Sequence, residues 1–67
     1  RGQPEQAVSV LQEALARFEQ AYGPENHRLR YTLELLAEAY QAMNRPDEAR
    51  RYAARAAQLP PPPQVQQ

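Results

Sequence analysis

Arg45-Pro46-Asp47-Glu48-Ala49 (RPDEA) decides the fold, because an earlier segment, Gln3-Pro4-Glu5-Gln6-Ala7 (QPEQA), nearly repeats it at an offset of 42 residues. Proline suits the first position of a helix, where its missing N–H costs nothing. Acidic residues in the first turn are favoured by the helix dipole. Both segments are therefore predicted helix starts. The same offset aligns Ala14 with Ala56, Val10 with Tyr52 and Leu11 with Ala53, and a period of this length is typical of repeat arrays.

Apolar residues recur at spacings of three and four along most of the chain, which predicts helices and no strand. The stripes are Ala7, Leu11, Ala14, Phe18 and Ala21 in the first helix; Leu29, Leu33, Leu36, Tyr40 and Met43 in the second; and Ala49, Ala53 and Ala56 in the third. Val10 adds a second apolar contact side to the first helix. The predicted fold class is all-α.

Turn residues separate the three predicted helices. Gly23-Pro24 ends the first helix, and Asn26 is predicted to cap a second helix that starts at Arg28. Asn44 is predicted to end that helix in the left-handed conformation. Since only two or three residues then precede the third helix, the second and third helices should form an antiparallel pair. Prolines 60–63 predict a polyproline II segment, and residues 64–67 are predicted to be disordered.

Composition excludes several function classes. The chain has 67 residues, a net charge of zero and no cysteine, and His27 is its single histidine. These features predict no metal site, no cofactor and no nucleic-acid partner, and no apolar run approaches a membrane span. Because no basic and apolar leader precedes Pro4, we expect no signal peptide and a cytoplasmic location. A domain this small should be only marginally stable alone.

The second and third helices carry a pattern of large and small residues. The pattern is Leu33, Leu36, Ala37, Tyr40, Ala49, Ala56 and Pro61. It resembles the tetratricopeptide repeat (TPR), in which small residues let two paired helices approach closely. The sequence departs from that family at Leu33, where tryptophan is usual, at Ala53, where an aromatic is usual, and at Asn44, where glycine is common. The 42-residue period and the connection at residues 22–27 resemble the kinesin light chain-type variant.

The resemblance implies a helix-turn-helix solenoid fragment of three antiparallel stacked helices, about one and a half repeats. Residues 3–22 would be the second helix of a preceding repeat, 23–27 a connection, 28–59 a TPR helix pair and 60–67 a proline-rich disordered tail. The implied repeat-packing residues are Ala7, Leu11, Ala14, Leu33, Leu36, Ala37, Tyr40, Ala49, Tyr52, Ala53 and Ala56. Tyr52 is expected to fill part of the space left by Ala53.

TPR arrays bind peptides or proteins, so the resemblance implies an interaction or scaffolding module. The family's groove positions fall on Tyr31, Glu34, Leu35, Glu38 and Gln41. Two carboxylates there predict a basic or neutral partner. The family members that clamp C-terminal carboxylates use lysine, arginine and asparagine at such positions, so that function is not expected. The alternative is an ordinary solvated surface, with Arg30 pairing to Glu34.

The sequence also bears on two further interaction functions and one catalytic function. The open helical ends of a short array favour a homodimer, and the proline run resembles ligands of EVH1, SH3 or WW domains. Glu34 and Glu38 as paired catalytic acids would need burial that separates their pKa values. A helix surface offers no such burial, and His27 lacks a nearby nucleophile. The sequence therefore predicts no enzyme.

Overall fold

The computed structural model describes residues 3–62, and every regular element within that range is helical. Helix α1 spans Gln3–Tyr22, a 3₁₀ turn spans His27–Leu29, α2 spans Arg30–Ala42 and α3 spans Pro46–Gln58. The predicted all-α fold of three packed helices is confirmed. The predicted start of the second helix at Arg28 is corrected, because the 3₁₀ turn comes first.

Each turn is explained by a particular backbone conformation or capping hydrogen bond. Gly23 has a φ of +92°, and its N–H donates to the Glu19 carbonyl at 2.8 Å. This is the left-handed ending in which a residue just past the helix satisfies a free carbonyl. The Asn26 side chain accepts from the Arg28 N–H at 2.9 Å, so it caps the 3₁₀ turn rather than α2 itself. That turn leads the chain directly into α2 at Arg30.

Asn44 ends α2 as the sequence predicts, with a φ of 60°. Its N–H donates to the Gln41 carbonyl at 3.0 Å, and the next N–H, of Arg45, donates to the Tyr40 carbonyl at 2.9 Å. These two bonds form a Schellman motif. Because the motif reverses the chain within three residues, α3 packs back along α2.

The core lies where the three helices and the 3₁₀ turn meet. Leu29, Leu33 and Leu36 are completely buried at its centre. They are surrounded by the other buried apolar residues: Leu15, Tyr40, Ala49, Ala56 and Leu59. Burying a leucine side chain contributes about 1.5–3 kcal/mol, so these three central leucines account for much of the hydrophobic stabilisation.

A polar contact joins α3 directly to α1. Arg55 of α3 forms an ion pair with Glu19 of α1. The same guanidinium donates to the Pro24 carbonyl at 3.4 Å. Both partners of the ion pair are about one-third exposed, so solvent weakens the attraction. The contact therefore fixes the placement of α3 more than it adds to stability.

The eleven residues assigned to repeat packing occupy three environments. Leu33, Leu36, Tyr40, Ala49 and Ala56 are buried; Ala7, Leu11, Ala14, Ala37 and Tyr52 are half-buried; and Ala53 is exposed. Within residues 3–62, Ala53 therefore does not have the buried surroundings that its assigned role implies. It borders a shallow surface depression together with Ala37 and Ala49.

Candidate functional site

The five residues predicted to contact a partner share one side of α2. Tyr31, Glu34, Glu38 and Gln41 are separated by spacings of three and four, which place them on one helical face, and Leu35 lies beside them. Tyr31 is 70% exposed; Glu34, Glu38 and Gln41 are also exposed, and Leu35 is half-buried. We call this set the α2 face. It presents one large aromatic ring, two carboxylates, an amide and an apolar side chain.

The two carboxylates of the α2 face belong to no ion pair among the described residues. Residues 3–62 contain three ion pairs, Arg45–Glu48, Arg50–Asp47 and Arg55–Glu19, and Glu34 and Glu38 belong to none of them. The alternative pairing of Arg30 with Glu34 does not form. The Arg30 guanidinium instead donates to the Leu59 carbonyl at 3.4 Å, so it joins the start of α2 to the end of α3. Glu34 and Glu38 are thus exposed and outside the ion pairs of residues 3–62.

An apolar groove of about 550 Å³ lies beside the α2 face. One wall comes from α1 and the other from α2. Its lining residues are Gln3, Pro4, Ala7, Val10, Leu11, Leu35, Glu38, Ala39 and Ala42. Glu38 is the charged residue among them, so the groove joins apolar surface to a carboxylate. We call it the α1–α2 groove.

Sequence reasoning missed the contribution of α1 to this region. The predicted groove positions all lie on α2, whereas Ala7, Val10 and Leu11 of α1 form the opposite wall. A signal was present, because Val10 lies outside the main apolar stripe of its helix. In the structure Val10 is 65% exposed, which makes it an accessible apolar contact.

Other classes of site find no support within residues 3–62. No cluster of three or more histidine, cysteine, aspartate or glutamate side chains is arranged there to hold a metal ion. In the same range, no helix combines the length and apolarity needed to cross a bilayer. Pro60, Pro61 and Pro62 are exposed. The rest of the predicted polyproline and disordered tail, residues 63–67, lies outside the described residues.

The comparison with protein families identifies this arrangement. A family model described as tetratricopeptide repeat matches residues 1–60, nearly the whole chain. The chain belongs to the tetratricopeptide repeat family. Comparisons with curated proteins and with solved structures give no match. TPR helices form a non-catalytic protein-interaction fold, so membership supports protein binding as the general function and protein partners as the class of ligand.

Within this TPR chain, α2 and α3 contact each other through the small residues that the repeat pattern implied. Ala49 is 5% exposed and Ala56 is 2% exposed, and both belong to the same buried cluster as Leu33 and Leu36. Side chains without atoms beyond Cβ leave room for the facing helix. The contact with α3 lies on the side of α2 that carries Leu33 and Leu36, whereas Tyr31, Glu34, Glu38 and Gln41 are exposed.

Proposed function

We propose that this TPR segment binds a basic or neutral peptide or protein segment on the α2 face. The observation that carries the proposal is the pair Glu34 and Glu38, exposed and outside every ion pair of residues 3–62. Complementary charge favours encounter and orientation of a partner more than raw affinity. Affinity would come from apolar contact with Tyr31, Leu35 and the α1–α2 groove.

The 42-residue repeat in the sequence supports a proposed division of the chain into repeats. We propose that α2 and α3 form one repeat and that α1 is the second helix of a preceding repeat, in the 42-residue variant. The equivalence of Pro4 with Pro46 and of Ala7 with Ala49 supports this division. Among the three helices of residues 3–62, α2 is the one that we assign as the first helix of a repeat, so the proposed contacts concentrate on it.

Selection from a random peptide display library, with the 67-residue chain as target, tests the proposal. We expect the selected peptides to be enriched in lysine or arginine beside an apolar residue. Glu34→Lys combined with Glu38→Lys should then weaken binding of a selected peptide by about tenfold, since two attractions become repulsions. Calorimetric titration measures the change.

The matched control for the peptide experiment is Glu5→Lys combined with Glu25→Lys. Both glutamates are exposed and lie off the α2 face, and the change in net charge is the same. This control should keep most of the affinity. If both double variants weaken binding equally, the effect depends only on net charge. If Glu34→Lys combined with Glu38→Lys leaves the affinity unchanged, the α2 face is not part of the binding site.

A further inference from the structure

An extended, proline-rich segment follows α3. Leu59, the residue after the helix, has φ −68° and ψ 145°, which are polyproline II values. Pro60, Pro61 and Pro62 come next and are exposed. Each of these residues is followed by a proline in the sequence, which disfavours the helical conformation, and each proline ring fixes its own φ at about −65°. We call residues 60–62 the proline segment, and its chemistry favours polyproline II.

Leu59 holds the start of the proline segment against the core. Its side chain is 7% exposed and belongs to the same buried cluster as Leu29 and Ala56. Its carbonyl accepts from the Arg30 guanidinium at 3.4 Å, and its N–H donates to the Ala56 carbonyl at 3.3 Å. Because both the side chain and the backbone of Leu59 are held, the proline segment leaves the core from a fixed point.

The proline segment can offer a partner only proline rings and backbone carbonyls. Proline has no N–H to donate, and no residue after Arg55 carries a charged side chain. A polyproline II helix has about three residues per turn and no internal hydrogen bonds, so its carbonyls are free to accept. Grooves lined by aromatic side chains recognise this combination of rings and carbonyls. The chemistry therefore fits an aromatic-lined groove rather than a charged pocket.

The burial of Leu59 limits how such a groove can recognise the segment. As a free peptide, the sequence Leu-Pro-Pro-Pro would offer a large apolar side chain directly before the prolines. In the folded chain that leucine side chain lies in the core, so a partner cannot contact it without unfolding the end of α3. The folded chain therefore offers the proline rings without the leucine.

We propose that the proline segment is a ligand for a proline-recognition domain with an aromatic-lined groove, the class that includes WW and SH3 domains. The chain is the ligand in this contact, whereas it is the receptor at the α2 face, so the two proposals are independent. A segment that already has the bound conformation loses less conformational entropy when it binds. Its attachment at Leu59 and its proline rings both contribute to that preorganisation.

Titration of the 67-residue chain into a panel of purified WW and SH3 domains tests the proposal. The chain contains no tryptophan, so the fluorescence of a groove tryptophan in the domain reports binding directly. We expect at least one domain to bind. Pro61→Ala combined with Pro62→Ala should raise its dissociation constant by at least about fivefold, because two rings and their fixed φ angles are lost.

The matched control for the proline variant is Gln58→Ala. Gln58 is exposed and lies beside the proline segment, and the substitution removes no ring, so it should change the dissociation constant little. Circular dichroism checks that both variants keep the helix content of the wild type. An unchanged affinity after loss of the two prolines, or no binding of the chain to any domain of the panel, would overturn the proposal.

A synthetic peptide of residues 56–67 tests the role of Leu59 burial, because its leucine side chain is accessible to a partner. A groove that contacts only the prolines should bind the chain and the peptide with dissociation constants within about threefold of each other. A groove that also needs the leucine should bind the peptide at least about tenfold more tightly than the chain. This second result for every domain that binds would also overturn the proposal.

Discussion

The rings of Tyr40 in α2 and Tyr52 in α3 lie stacked, with centroids 5.4 Å apart and planes 8° from parallel. Gln12 of α1 donates to the Tyr40 hydroxyl at 3.0 Å and to the Tyr52 hydroxyl at 3.3 Å. All three helices of the TPR chain therefore meet in one contact. This contact joins α2, the helix that carries the proposed binding site on another side, to both neighbouring helices.

Removal of the Tyr52 ring should destabilise the chain. An aromatic pair contributes about 0.5–1.5 kcal/mol beyond the area that it buries, so Tyr52→Ala should lower the free energy of unfolding by about 1–3 kcal/mol once the lost burial of a half-buried ring is included. Urea denaturation measures it. Tyr52→Phe keeps the ring and loses the hydroxyl, so it should cost less than Tyr52→Ala. Equal losses in the two variants would assign the effect to the hydroxyl rather than to stacking.

The contact of Tyr40, Tyr52 and Gln12 separates what the sequence could predict of the fold from what it could not. The spacing of apolar residues, the prolines at helix starts and Asn44 predict the three helices and the tight turn. These features depend on interactions between residues that are close together in the sequence. The direction of the Tyr52 ring toward Tyr40 depends on how α3 is rotated against α2. The contact of both hydroxyls with Gln12 also depends on the placement of α1, forty residues away for Tyr52. Such long-range contacts leave no local pattern in the chain.

The small residues at the contact of α2 and α3 should tolerate no enlargement. Ala49→Leu adds three carbons at a buried position and should lower the free energy of unfolding by about 1–3 kcal/mol. Ala7→Leu is the matched variant, because the 42-residue offset makes it the equivalent position in α1, where the side chain is only half-buried. It should cost less. Thermal or urea unfolding compares the two, and a neutral Ala49→Leu would contradict the predicted helix contact.

The turn between α2 and α3 should prefer glycine to alanine at position 44. Asn44 has a φ of 60°, a conformation that costs a residue with a Cβ roughly 1–2 kcal/mol and that asparagine tolerates better than most. We expect Asn44→Ala to lower stability by up to about 1 kcal/mol and Asn44→Gly to preserve or raise it. The midpoints of urea denaturation distinguish them. A more stable alanine variant would contradict the left-handed turn.

Alkaline pH should destabilise the chain through Tyr40. Burial raises the pKa of the Tyr40 hydroxyl above its ordinary value of 10.0, and the neighbouring Tyr52 and Glu48 raise it further. The folded state therefore holds its proton more tightly than the unfolded state does. This contribution to stability is present in full below pH 10 and decreases as the pH rises through the folded pKa.

The ionisation of Tyr40 is tested by comparing how the free energy of unfolding changes with pH in the wild type and in Tyr40→Phe. Phenylalanine keeps a buried ring and carries no ionisable group, so its free energy of unfolding should fall less steeply above pH 10. Urea denaturation at a series of alkaline pH values measures both slopes. Parallel curves for the two proteins would exclude Tyr40 as the source of the alkaline loss.

The candidate site was only partly accessible to sequence reasoning. The family resemblance selects the five residues of the α2 face, and the spacing of Glu34, Glu38 and Gln41 places those three on one side of the helix. The sequence could not predict that Arg30 leaves Glu34 unpaired among the described residues. Arg30 instead donates to the Leu59 carbonyl, which lies near Arg30 only because α3 packs back along α2. The α1–α2 groove likewise exists only once two helices separated by a turn lie side by side.

The central claim, that the α2 face is the partner-binding surface, is tested most directly by backbone amide NMR of the 67-residue chain during titration with a selected basic peptide. Binding there should shift the amide resonances of Tyr31, Glu34, Leu35, Glu38 and Gln41 most strongly, with smaller shifts along the α1 wall of the groove. Largest shifts on the outer side of α3, or no shifts with any selected peptide, would contradict the claim.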